Sequence, residues 1–210
     1  MRIDIHVHTR RYSPCSTIDP EALIGTAIQA GLNGVVITEH EYQWSDPELD
    51  ALREASGMPG FLLLAGFEYR TVRGDVLVYG LDASACEEFG PGMTPREATA
   101  LAAARGGVCI AAHPTREGMD FDMAIGECPL AAIEVCSTNL RTWERRSAAN
   151  LATALHLPAI AASDAHALTD LGRYATEFET FIDSMAGLHN ALRNGKFQLP
   201  EFVVAEMEIS

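Results

Sequence analysis

The sequence lacks any run approaching the ~20 consecutive apolar residues that a membrane-spanning helix requires. It also lacks the apolar core of a secretory leader, since Met1-Arg2-Ile3-Asp4-Ile5-His6 sets an acidic residue where that core would begin. Both absences predict a soluble, cytoplasmic protein without a membrane partner. Basic residues are scarce, 15 Lys and Arg against 29 Asp and Glu, for a formal charge of −14. With no basic stripe to neutralise a phosphate backbone, stable binding of duplex nucleic acid is not expected. Cys-x-x-Cys pairs are missing as well. The five cysteines, Cys15, Cys86, Cys109, Cys128 and Cys136, are odd in number and scattered, which argues against a disulfide framework and a thiolate zinc knuckle. Cys109 sits in an apolar run and reads as a small core residue.

Linkers, low-complexity tracts and short repeats are absent too, and 210 residues suit one domain over 1–210. What is present is alternation. Arg2–Val7, Gly34–Thr38, Phe61–Glu68, Asp75–Tyr79, Gly107–Ala112, Ala131–Val135 and Pro158–Ala162 read as strands, and Phe178–Ile182 as an edge strand. Helix signals fall between them. Asp19 caps a helix that has Pro20 at its first position and closes at Gly31. Thr94-Pro95-Arg96-Glu97 is a capping box with proline at its first helical position. A weak helix is expected near Leu49–Ala55, a long one over about Arg141–Leu155 and a last one over Met185–Asn194. Such alternation predicts an α/β fold of parallel β/α units, and seven strand candidates suggest a barrel or a strongly curled sheet.

The chemistry lies at the strand ends. His6 and His8 follow the first strand, Glu39 and His40 the second, and Glu68 the third. His113 follows the strand ending at Ala112, and Asp164 and His166 follow the one ending at Ala162. In a parallel barrel these ends converge on one face, where such folds keep their active sites. Each piece alone is a weak signal: a histidine before Pro114 is often a turn residue, and Asp164 could be a helix cap. Glu68 is stranger, because a carboxylate after so apolar a run needs a partner to be buried. Their register as a set points to metal. Imidazole and carboxylate ligands suit zinc, manganese or iron without selecting among them. His156, at a helix end, and His189, within the last helix, fall outside the set and read as structural or solvated.

Together, Asp4-Ile-His-Val-His8-Thr, Ile37-Thr-Glu-His40, Gly66-Phe-Glu68, Ala112-His113-Pro114 and Ala162-Ser-Asp164-Ala-His166 resemble the PHP (polymerase and histidinol phosphatase) family, from residue 2 to about residue 195. The resemblance implies a distorted (β/α)7 barrel with two or three divalent metal ions (Zn, Mn or Fe). It further implies hydrolysis of phosphoesters by water activated between bridged cations. By matched position, His6, His8, Glu68 and Asp164 would hold a first metal. Glu68 would bridge to a second, bound also by His113, and His40 and His166 would belong to a third. Glu39 stands where the family often has aspartate, as a metal-site residue that orients a ligand. Glu68, Asp164 and His166 are the expected catalytic residues. Two positions depart from the pattern: after His8 stands Arg10-Arg-Tyr-Ser-Pro-Cys15-Ser16, with Cys15 either a thiolate ligand or an unligated turn residue. After the fourth strand, Asp82 is a candidate substitute for a family histidine.

An anionic substrate needs cationic contacts, and Arg116 and Arg173 are the expected clamps, with Arg10, Arg11 and Arg70 behind them. The loops Glu41–Asp46, Arg70–Gly74 and Arg116–Asp122 are expected to shape the pocket, and Trp44 or Tyr69 either stacks a base or sugar or packs in the core. The leading expectation is a phosphoesterase acting, as a stand-alone module, on a small phosphorylated metabolite or short nucleotide. Two others stay open: an amidohydrolase-like enzyme of C–N or C–O bonds, and a metal-retaining binding module without turnover.

Overall fold

The computed structural model describes residues 1–119, 121 and 123–209. Nine strands form one sheet: β1 (Arg2–Val7), β2 (Gly34–His40), β3 (Leu62–Thr71), β4 (Gly74–Tyr79), β5 (Val108–Ala112), β6 (Leu130–Cys136), β7 (Ala159–Ala161), β8 (Thr176–Phe178) and β9 (Phe197–Gln198). Their spatial order, β7-β6-β5-β4-β3-β2-β1-β8-β9, runs along the chain until β8 inserts beside β1. The sheet curls into a nearly closed barrel. A single bridge, Val7 to Ala165, ties the end of β1 to the segment after β7, and Asp4 accepts the Ser163 N–H across the same gap at 2.9 Å.

Period-two alternation sorts the side chains into an inner and an outer set. Val36, Leu77, Ile110, Ala132 and Ile160 fill the barrel interior. Their sequence neighbours face the helices: Val35 and Ile37 meet α1 (Pro20–Gln29) and α2 (Asp46–Ala55). Cys109, Ala111, Ile133 and Ala161 meet α3 (Pro95–Ala104) and α4 (Thr142–Leu155). The caps read from sequence are in place. Asp19 accepts from Glu21 N at 3.2 Å, Gly31 lies at φ +74°, and Thr94 and Glu97 form a reciprocal capping box. The helix after β2 starts earlier than expected, because Ser45 and Glu48 cap it at Asp46.

Two expectations need correction. The strand β4 is not a parallel unit: it pairs antiparallel with both β3 and β5, since the two-residue turn Val72–Arg73 leaves no room for a crossover. The late edge strand is Thr176–Phe178, paired antiparallel with β1, rather than Phe178–Ile182. Beyond it come α5 (Met185–Arg193), β9 and α6 (Glu201–Ile209). No helix among the described residues is long and apolar enough to cross a membrane.

Candidate metal centre

The ends of β1, β2, β3, β5 and β7 meet at one mouth of the barrel, and the chain bends sharply there. His113 (φ +29°), Asp164 (φ +51°) and Glu41 (φ +55°) adopt left-handed backbone conformations just after their strands, a strain typical of functional positions. The strand β1 contributes by a bulge. Ile3 and Ile5 face the interior, so simple alternation would aim His6 and His8 outward. A register shift against β2 between Asp4 and Val7 breaks the parity; Val7 joins the helix-facing layer and both imidazoles turn inward.

Two groups of side chains converge there: His6, Glu68, His113 and Asp164, all buried, and His8 with the half-exposed His40 and His166. His6 Nε2 lies 3.3 Å from Asp164 Oδ1 and 3.5 Å from Glu68 Oε2. His113 Nε2 lies 3.0 Å from Glu68 Oε1. His8 Nε2 joins the two groups, 3.2 Å from Glu68 Oε2, 3.3 Å from Asp164 Oδ1 and 3.1 Å from His6 Nε2. Because His40 and Glu68 stand opposite each other in the β2–β3 register, His40 Nδ1 reaches Glu68 Oε2 at 3.0 Å.

Of these contacts, His113 Nε2 to Glu68 Oε1 and His6 Nε2 to His8 Nε2 have hydrogen-bond geometry. Glu68 Oε2 and Asp164 Oδ1 are buried without a hydrogen-bond partner among the described residues, although imidazole nitrogens surround both. Two unpartnered oxygens amid imidazole nitrogens are converging on a common point. A divalent cation there would satisfy them, so the residues present fit a metal. The electrostatics agree. Burial alone would lower the histidines, but Asp164, Glu134 and Glu68 pull His6 well above its ordinary value, and Asp164 and Glu68 raise His8 to about 9. Burial would raise the carboxylates, but His6 and His113 hold Glu68 well below the usual range. His6 and His8 hold Asp164 low in the same way. The cluster thus favours positive charge, whether as protons or as a cation.

Not every expected residue joins. Glu39 is buried but turned away, accepting from Thr9 N at 3.0 Å, from the Thr9 hydroxyl at 2.5 Å and from Trp44 Nε1 at 2.9 Å. It fixes the loop after β1 instead of facing the cluster. Arg173 is exposed and stands apart from the site. Arg116 does reach it, 3.9 Å from Asp164 Oδ2. Together with Arg70 and Cys15, Arg116 lines a cavity of about 380 Å³ whose wall and floor include His40, His166, Glu68, His113 and Asp164. Arg10 pairs with Asp19, and Arg11 lies over Tyr12 and Trp44. Trp44 and Tyr69 are buried core residues, not a stacking platform. The loop Glu41–Asp46 borders a different cavity, of about 900 Å³, at the opposite end of the barrel. Asp82 borders that same cavity, because β4 runs antiparallel and ends away from the site. Within Arg116–Asp122, residues 120 and 122 lie outside the described residues.

Sequence reading missed two acids. Glu134, in the middle of β6, accepts from His6 Nδ1 at 2.9 Å and from His113 N at 2.8 Å. The second is Asp75, at the start of β4. A charged residue inside an apolar strand was the available signal for each.

A PHP-associated family model matches residues 142–197. No curated protein matches the chain. Among solved structures, PsfC from Pseudomonas syringae PB-5123 superposes with a TM-score of 0.71 at 21% identity, over 99% of this chain and 96% of that one. A two-domain protein from Bacteroides vulgatus, described as containing a predicted PHP-like metal-dependent phosphoesterase, superposes at 0.70 and 19% identity, over 100% of this chain and 69% of that one. The lesion-specific endonuclease Q from Pyrococcus furiosus superposes at 0.64 and 17% identity, over 94% of this chain and 57% of that one. An endonuclease Q is also described in complex with a 27-mer duplex carrying an abasic lesion, at 15% identity and a TM-score of 0.60, over 94% of this chain and 58% of that one. At these identities the likeness is one of fold. With a PHP-associated segment matched over residues 142–197 and the barrel shared over the whole chain, the chain is similar in fold to a PHP-like metal-dependent phosphoesterase.

Proposed function

We propose that the protein is a metal-dependent hydrolase of phosphoric esters acting on a small phosphorylated metabolite or a short nucleotide. The observation that carries this reading is the pair of unpartnered buried oxygens, Glu68 Oε2 and Asp164 Oδ1, ringed by imidazoles on the floor of a cavity that Arg116 overhangs. Bound divalent cations, two or three of Zn, Mn or Fe, would supply Lewis acidity, neutralising phosphoryl oxygens and acidifying water. His6, Glu68, His113 and Asp164 would hold one cation and His8, His40 and His166 another.

The chain's own residues do the rest. Glu134 orients His6: with Nδ1 donating to Glu134, the lone pair on His6 Nε2 faces the centre. Arg116 offers guanidinium N–H groups to the phosphoryl oxygens. In the hydrolysis a water oxygen bonds to phosphorus, the bond from phosphorus to the leaving oxygen breaks, and a water proton ends on that oxygen. His166 suits the transfer. It stands half-exposed at the mouth, and its Nδ1 lies 3.0 Å from the Asp164 carbonyl oxygen; donation there leaves the Nε2 lone pair for one task, either carrying that proton or holding metal with His8 and His40.

The shared fold does not itself favour a small substrate, since a duplex-bound endonuclease has it too. What supports one is this chain's charge of −14 and a cavity of only about 380 Å³. The test is elemental analysis of gently purified protein, followed by p-nitrophenyl phosphate, bis-p-nitrophenyl phosphate, amide and lactone panels with manganese and zinc. Phosphoester turnover that Glu68→Gln abolishes is the expected result. Amide or lactone turnover instead would establish the amidohydrolase-like alternative, and a metallated but inert protein the binding module.

A further inference from the structure

Asp75 is buried opposite Arg70 in the β3–β4 pairing and opposite Ala112, the residue before His113, in the β4–β5 pairing. It shares the inward parity of Leu77 and Tyr79, and because β4 is antiparallel its first residues, not its last, reach the site. Neither carboxylate oxygen has a hydrogen-bond partner among the described residues. Two guanidiniums stand at ion-pair range instead: Arg70 Nε lies 3.5 Å from Oδ1 and Arg116 Nη2 lies 3.9 Å from Oδ2. Arg116 Nη1 is also 3.9 Å from Asp164 Oδ2, so this guanidinium is suspended between Asp75 and a member of the metal cluster.

Such spacing holds charge in place without consuming donors. A guanidinium has five N–H donors in a rigid fork. At 3.9 Å neither carboxylate takes one of them in a hydrogen bond, and the fork stays open toward the cavity. Arg116 is 30% exposed and Arg70 66%, which makes them an inner and an outer cation along one wall. On the β4 side, Asp75 is the carboxylate that faces Arg116.

We propose that Asp75 is a positioning residue that fixes Arg116, with Arg70 outside it, as the recognition wall for the dianionic phosphate of a monoester. A monoester presents three nonbridging oxygens, enough to engage both the metal floor and this wall; a diester presents two and carries less charge. The proposal rests on the phosphoesterase reading, but its test is an equilibrium measurement that does not need turnover.

Binding of inorganic phosphate to the metal-loaded protein is measured by titration calorimetry for wild type, Asp75→Asn, Arg116→Ala and the double variant, with metal content determined on each. We expect Asp75→Asn to weaken phosphate ~10-fold, in the range found for outer-sphere positioning groups, with metal content unchanged and no further loss when added to Arg116→Ala. Asp75→Ser removes the same charge if the amide is not accommodated. Tighter phosphate in Asp75→Asn would mean that Asp75 merely screens the arginines and would overturn the proposal. So would loss of metal, or an effect that persists in the Arg116→Ala background. A wild-type protein that binds phosphate with this coupling but hydrolyses no ester would sink the functional reading and leave the positioning role standing.

Discussion

His6 Nδ1 and Glu134 Oε1 lie 2.9 Å apart in the barrel interior, both side chains fully buried. The second oxygen of that carboxylate accepts the backbone N–H of His113 at 2.8 Å, so one acid on β6 contacts two candidate ligands, from β1 and β5. Replacing Glu134 by Gln keeps the shape and removes the charge. Metal affinity, measured by chelator competition, is expected to fall ~10–100-fold, with the secondary structure by circular dichroism unchanged. Unaltered affinity would mean that His6 needs no orientation.

Metal should stabilise the fold. A cation bound to the native state at about 100 times its dissociation constant adds roughly 2.7 kcal/mol. For a chain of this length that corresponds to a rise in Tm of about 5–11 °C. Thermal melts with and without EDTA test it; coincident melts would show that the cluster holds no cation.

Protons and metal compete for the same atoms, and the sign follows from the shifts. In the metal-free protein His8 is raised from 6.5 to about 9, so its contribution to stability is full below pH 6.5 and is lost as pH rises through 9. Glu68 is lowered from 4.5, so its contribution is present above that value and is lost on acidification through its folded pKa. Metal-free protein should therefore lose stability from pH 6.5 to 9, while metal affinity rises over that window and binding releases protons. Calorimetry in buffers of different ionisation enthalpy counts the released protons.

The two arginines expected from sequence part company. Arg116→Ala should raise KM for a phosphorylated substrate with metal content unchanged, because the side chain overhangs the cavity. Arg173→Ala, exposed and remote, should leave KM as it was. An equal effect of both would mean that charge, not contact, attracts the substrate, and raising the salt concentration would then erase the difference from wild type.

Gly66 tests the barrel wall. A Cβ there would stand 2.4 Å from the Val78 carbonyl oxygen and 2.8 Å from Tyr79 Cδ1, on the interior face that leads to Glu68. Gly66→Ala should cost about 1–3 kcal/mol as overpacking, read by urea denaturation, and should disturb metal binding as well, since β3 carries Glu68 two residues on.

Much of this molecule can be read along the chain. Strand and helix positions follow from periodicity and caps that act locally: Asp19 before Pro20, or Thr94 with Glu97. The strand-end candidate ligands are legible because a polar residue closing an apolar run is conspicuous wherever it occurs. His6, His8, His40, Glu68, His113, Asp164 and His166 all reach the mouth of the barrel. Glu39 shows the limit of that reading, for a residue beside a ligand can be spent on holding a loop, and only its partners Thr9 and Trp44 reveal it.

Tertiary structure decided direction. The alternation Ile3, Ile5, Val7 predicts that the histidines between and after them face outward; a bulge between Asp4 and Val7, set by pairing with β2, turns them inward. Nothing within β1 encodes that slip, because a register belongs to two strands at once. The orientation of β4 is of the same kind. Its residues are equally apolar in either direction, and the short turn after Thr71 forces the antiparallel one. That choice carries Asp82 to the far end of the barrel and brings Asp75 to the site. Local sequence determines which residues can form strands and carry candidate ligands, whereas which end of a strand reaches the cluster is settled by its neighbours.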